Sequence, residues 1–236
     1  MKVVIIGGDA AGMSAAMEMV RSEVNVNITV LEKGDIYSYG QCGLPYVIDG
    51  TIADTDELIA KSVEAFREKG IDARTRHEVT YVDMDEQLVE GTDGHTGEPF
   101  SIPYDKLIIA SGASPTMPRW NNKQLGGIHT IKTIPQMEAL LHDLEGKEHV
   151  TVIGAGYIAL EAAETLVSRG LQVRIIQRGA QLMSTIDAEL AEHILAEAQK
   201  QGVEVLLNTN TLGFIGTSRV EAVETENGTY ETDVVI

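Results

Sequence analysis

The apolar positions of this chain fall in short runs separated by glycine turns and by stretches of helical spacing. Lys2 to Ile6 is a β-branched run. It leads into GGDAAG and then MSAAMEMVR, where small and apolar residues recur every three to four positions. The pattern predicts strand, turn and helix. A second β-branched run, Ile28 to Leu31, ends at Glu32, 25 residues after Gly7, and completes one βαβ unit. The same order returns in HVTVIGAGYIALEAAETLVSRG followed by LQVRIIQRG.

Each unit is followed by short strand-like stretches with turn signals, and then by an Asp that leads an apolar run. The first copy reads YDKLIIASGASP and the second ETDVVI, where the sequence stops. The repeat predicts that the counterpart of Ala110-Ser111-Gly112 would follow, so a C-terminal portion is expected to be absent. The Pro- and Asn-containing stretch from Pro115 to Asn122 is the expected boundary, giving domains at 1–117 and 118–236.

Composition narrows the classes. With 236 residues, 43% of them hydrophobic, the chain is long enough for two modest cores without metals or disulfides. A net charge of −18, with 36 acids against 18 bases, argues against a nucleic-acid partner. The first apolar run is too short for a signal peptide, and no apolar stretch approaches about 18 residues, so no membrane span is expected. One cysteine, Cys42, cannot form an internal disulfide and fits a reducing compartment, the cytoplasm. The six histidines are scattered without metal-ligand spacing, so no metal is expected. Met13, Met17 and Met19 are expected in or near the core, and Trp120 between the domains.

A strand that feeds a helix through a glycine turn aims backbone N–H groups and the positive helix end at a pyrophosphate. In the first copy Gly7 and Gly12 fit the outer positions while Asp9 takes the middle one, so its carboxylate must point away. Glu32 stands where an acid bonds a ribose hydroxyl. In the second copy Gly154 and Gly156 are present and Ala159 replaces the third glycine, a packing position that tolerates alanine. Its second strand ends in Gln177-Arg178, which lacks the ribose acceptor but offers a cation to a 2′-phosphate, so NADPH is expected to serve at least as well as NADH. The plainer alternatives are glycines that only tighten turns and an Arg178 that is a solvated charge.

Cys42 lies in YSYGQCGLPYVI, ten residues past Glu32. A thiolate opening a helical turn would be stabilised by exposed N–H groups, and Gly43 and Pro45 suit such a start. The alternative is a small buried hydrophobe.

The segments IIGGDAAGMSAAM, LEKGDIYSYGQCGLPYVI, YDKLIIASGASP and GAGYIALEAAE resemble, in order and over essentially the whole chain, the pyridine nucleotide disulfide oxidoreductases. Within them the single-cysteine CGLPY element resembles the coenzyme A disulfide reductases. Val47 stands where dithiol members carry their second cysteine. The resemblance implies an α/β fold of two tandem Rossmann-like, three-layer ββα dinucleotide-binding domains. It implies FAD in the first, with Gly7, Gly12 and Glu32 at the ADP half and Ala110, Ser111 and Gly112 along the flavin nucleotide. Gly8, Asp9, Ala10, Ala11, Lys33 and Val79 join that set. It implies NADPH or NADH in the second, with Gly154 and Gly156 at the pyrophosphate, Tyr157 gating the flavin's nicotinamide face and Glu161 near the nicotinamide. Ile153, Ile158, Gln177 and Arg178 complete that set.

By the same resemblance, hydride passes to the flavin and electrons then reach Cys42, the catalytic residue, which cycles through a mixed disulfide with coenzyme A. Ser14, Glu18, Arg21, Ser38, Gln41 and Lys69 fall at substrate-side positions. Arg21 and Lys69 would pair with phosphates and Glu18 would repel them; the plainer alternative is that all three are solvated helix residues. Family members carry a C-terminal stretch with a second FAD-contacting strand and a dimerisation domain, so the full-length protein is expected to be a homodimer and this chain to hold FAD weakly. Two other readings remain open. One is an oxidase or peroxidase using a Cys42 sulfenic acid, and the other is a nucleotide-binding remnant without activity.

Overall fold

Strand β1 (Lys2–Ile6) is apolar after its first residue and buried through its centre, as a strand covered on both faces must be. In the computed structural model, which describes residues 1–23 and 25–236, a different layer covers each face. Helix α1 (Ala10–Arg21) and strand β2 (Asn27–Leu31) follow, then helix α2 (Val63–Arg67) and strands β3 (Asp72–Arg74), β4 (His77–Asp83), β5 (Leu88–Asp93), β6 (Pro99–Pro103) and β7 (Lys106–Ile109). The order β3-β2-β1-β7 forms a parallel sheet, and β4-β5-β6 forms an antiparallel meander. Side chains alternate along β1: Val3 and Ile5 pack with Met13, Ala16 and Phe66 on the helical side. Val4 packs with Val89 and Tyr104 on the meander side. Met13 is buried, and Met17 and Met19 pack against the same helical-side cluster.

The second parallel sheet repeats this plan. Helix α3 (Ile134–Asp143) precedes β8 (His149–Ile153), α4 (Tyr157–Ser168), β9 (Gln172–Ile176), α5 (Ala188–Lys200) and β10 (Glu204–Leu206). Strands β11 (Thr211–Ile215), β12 (Ala222–Thr225) and β13 (Gly228–Glu231) form the meander, and β14 (Val234–Val235) returns to the sheet in the order β10-β9-β8-β14. Ile153, Ile176 and Val235 pack beneath the meander's Phe214 and Val223. Each parallel sheet thus lies between helices and a meander, the three-layer arrangement that the resemblance implies.

The chain divides into two compact units, Met1–Gly40 with Asp56–Ala113, and Gln41–Thr55 with Ser114–Ile236. Trp120 packs within the second unit, edge-on to Phe214 with ring centroids 5.7 Å apart. The chain around it runs along this unit, with Asn121 bridging to Gly213 and Ile128 to Val235. Among the described residues no helix is long and apolar enough to cross a membrane.

Candidate functional site

The first glycine turn joins β1 to α1 at the carboxyl edge of its sheet, where β2 and β7 flank β1 on opposite sides, the switch point at which such sheets bind ligands. Gly7 has φ +107°, and a Cβ on Gly12 would run into the Gly7 carbonyl, so Gly12 lets the helix approach the strand end. Gly8 lies against the buried Tyr37 ring. Ala10 and Ala11 are exposed in the first helical turn, and their small side chains leave its N–H groups accessible. Glu32 accepts from the Gly8 and Gly34 N–H groups, both at 2.8 Å, tying the end of β2 to the turn. Asp9 is the N-cap residue but makes no side-chain cap bond; its carboxylate instead accepts from the Tyr39 N–H at 3.2 Å. Ala110 donates to the Ile6 carbonyl at 2.8 Å, which brings exposed Ser111 and Gly112 to the same edge. Lys33 is exposed. The partly buried Val79 side chain packs against the meander-side cluster at a register shift in β4.

The second turn repeats the first, with Gly154 also at φ +107°. Gly156 caps α4 at φ −85°, and a Cβ there would meet nothing within 4 Å. Neither strain nor protein packing therefore requires this glycine, and the missing Cβ leaves room for a ligand at the helix N-terminus. A cavity of about 550 Å³ opens at the ends of β8, β9 and β14. Ile153, Gly154, Gln177 and Arg178 line it, together with Trp120, Thr209, Thr211 and Phe214. These last four come from the linker, the loop before β11 and β11 itself, and no local motif marks them in the sequence. Arg178 is exposed and makes no ion pair among the described residues. Gln177 donates to the Gln181 carbonyl at 3.2 Å. Tyr157 and Ile158 are 62% and 56% exposed on the first turn of α4, an unusual placement for large apolar side chains, and Glu161 is half-buried one turn on.

Cys42 is exposed on a 3-10 turn, Gln41–Val47, whose Leu44, Pro45 and Val47 are buried. The expected alternative of a buried hydrophobe therefore does not hold. Burial of the turn's apolar side anchors it while the thiol faces out. The Ser38 N–H donates to the Gly8 carbonyl at 3.0 Å, and Tyr39 is held by Asp9. Ser14, Glu18 and Arg21 are exposed on one face of α1 by their i, i+4, i+7 spacing. Arg21 pairs with Glu18 at 2.6 Å, and its hydrogen bond and charge lower the Glu18 carboxyl below its ordinary range. Arg21 is thus already engaged by the acid expected to repel phosphates. Lys69 is exposed beyond α2. Among the described residues no group of three or more His, Cys, Asp or Glu side chains is placed to hold a metal.

Comparison with known proteins agrees with this geometry. The chain is 38% identical over 239 residues to a CoA-dependent NAD(P)H sulfur oxidoreductase of Pyrococcus furiosus, covering 100% of this chain and 53% of that protein. It is 34% identical over 240 residues to an NADH oxidase of Methanocaldococcus jannaschii, again covering 100% of this chain and 53% of that protein. The reduced CoADR-RHD of Bacillus anthracis superposes with a TM-score of 0.95 at 28% identity, covering 100% of this chain and 43% of that one. The chain spans about half the length of the curated relatives it matches. The family model for pyridine nucleotide-disulphide oxidoreductases matches residues 1–236, and with two strand–turn–helix cradles and an exposed thiol on the CGLPY turn, the chain belongs to that family.

Proposed function

We propose that this chain is the nucleotide-binding part of an FAD- and NAD(P)H-dependent disulfide reductase, in which Cys42 exchanges with coenzyme A disulfide or a coenzyme A persulfide. The observation that carries the reading is the exposed sulfur of Cys42 on a turn whose other side is buried. The residues fit the two cofactors: the open N-termini of α1 and α4 would take pyrophosphates, Glu32 a ribose, and Arg178 a 2′-phosphate. Bound there, the cofactors would supply hydride transfer and an electron pair for sulfur.

The protein's own part is thiol exchange. The Cys42 thiolate attacks one sulfur of the disulfide, a Cys42–coenzyme A bond forms, the original S–S bond breaks and one coenzyme A thiolate leaves. With a persulfide the leaving group is hydrosulfide. Two electrons and a proton then split the mixed disulfide, restoring the Cys42 thiolate and releasing coenzyme A thiol. Within these 236 residues no second cysteine competes for the mixed disulfide. A second reading, an NAD(P)H oxidase or peroxidase with a Cys42 sulfenic acid, is supported by the 34% identity to a protein named NADH oxidase and by the same exposed thiol.

The test is the intact mass of the protein after oxidised coenzyme A and, separately, after peroxide. One coenzyme A adduct is expected, removed by reductant and absent in Cys42→Ser. Absence of an adduct alongside ready peroxide oxidation of Cys42 would favour the second reading instead.

A further inference from the structure

The turn that carries Cys42 is fastened at both ends by cations from elsewhere in the second unit. At its start Lys132 donates from Nζ to Gln41 Oε1 at 2.5 Å, in a partly buried setting. Just past its end Arg169, which closes α4, donates from Nη1 to the Ile48 carbonyl at 3.0 Å. Neither cation makes an ion pair among the described residues, in a chain where acids outnumber bases two to one. By contrast Arg21, Arg74, Arg76, Arg174 and Arg219 each hold a carboxylate. Two acids of the same unit bond to neutral donors and keep their own charge: Asp49 accepts the Thr51 N–H at 3.0 Å and Glu138 the Thr55 hydroxyl at 3.1 Å. An ammonium hydrogen-bonded to a neutral amide keeps its full charge uncompensated, and it dictates that the amide oxygen faces it.

We propose that Lys132 is the positioning residue of the Cys42 turn: it orients Gln41 and supplies a positive charge on the residue next to Cys42, so that anionic, phosphate-bearing thiols and disulfides are favoured over neutral ones. The proposal rests on Cys42 being the exchanging thiol. Lys132 acts through Gln41 and its field, without bonding to the reacting sulfurs. Arg169 adds to that field from the other end of the turn while holding the Ile48 carbonyl.

Alkylation of Cys42 in the 236-residue chain by iodoacetate and by iodoacetamide, followed by intact mass, tests this. Both reagents consume the same thiolate and only the first is an anion, so the ratio of their rates reports the field and cancels thiol reactivity. The ratio is expected to fall about threefold in Lys132→Met and to hold in Lys132→Arg. In the unmutated chain it is expected to fall as sodium chloride is raised to about 1 M, because salt screens a local positive field. A ratio that rises with salt, as the net charge of −18 would by itself produce, overturns the proposal. So does a ratio unchanged in Lys132→Met or equally lowered in Lys132→Arg. If Lys132→Met does not fold, Lys132→Gln is read in its place, and the salt series on the unmutated chain checks the sign of the field. Failure of the disulfide-reductase reading is seen separately, as a missing coenzyme A adduct on a chain whose alkylation ratio behaves as expected.

Discussion

Asp143 accepts from His129 on one oxygen at 2.7 Å and from Arg219 on the other at 3.0 Å. Burial works to raise its carboxyl, but the Arg219 and His129 contacts together outweigh it and hold the group below its ordinary range. A depressed carboxyl contributes stability that is present above the unfolded value of about 3.9 and is lost as pH falls through the lower folded value. Asp143→Asn is therefore expected to cost roughly 1–3 kcal/mol at pH 7. In urea titrations the gap from the unmutated chain should close as pH falls below about 4, and a gap independent of pH would remove the charge from the argument. At Arg178, a single guanidinium–phosphate pair contributes about 1.5–3 kcal/mol. Arg178→Ala is thus expected to weaken 2′,5′-ADP binding roughly tenfold or more while leaving 5′-AMP unchanged, as read by calorimetry. Arg178 was legible in the sequence because it ends a strand at a fixed distance from a glycine turn. The Asp143 cluster was not, because its partners lie 14 and 76 positions away along the chain with no motif to join them.

At the scale of the element, the two glycine turns look alike in sequence but carry different loads. Gly12 is required by packing, since its Cβ would meet the Gly7 carbonyl, whereas Gly156 faces open space. Gly12→Ala is expected to cost about 2 kcal/mol or more in thermal unfolding. Gly156→Ser should leave stability within about 0.5 kcal/mol, because serine caps a helix at least as well as glycine. It should nevertheless weaken ADP-ribose binding at least tenfold, by filling the approach to the N-terminus of α4. Equal effects of Gly156→Ser on folding and binding would make that glycine structural. Strand, turn and helix were readable here because each periodicity is local. Helix α3 went unread, although it carries a Thr133–Gln136 capping box.

Across the whole molecule, the net charge of −18 sets a self-repulsion that folding concentrates. Raising sodium chloride from about 0.02 to 0.3 M is expected to lift the unfolding midpoint by a few degrees, and a midpoint insensitive to salt would mean that the surface ion pairs offset the repulsion. The sequence alone determined the duplicated strand–turn–helix plan, the family and the thiol, because these rest on neighbours within a few turns of chain. The tertiary structure decided that residues 41–55 group with the second unit. It also set which meander side chains wall the cavity, and that Lys132 and Arg169 grip the Cys42 turn from 91 and 121 residues away. Such pairings depend on which surfaces meet once the second unit has folded, and residue spacing along the chain carries no record of them.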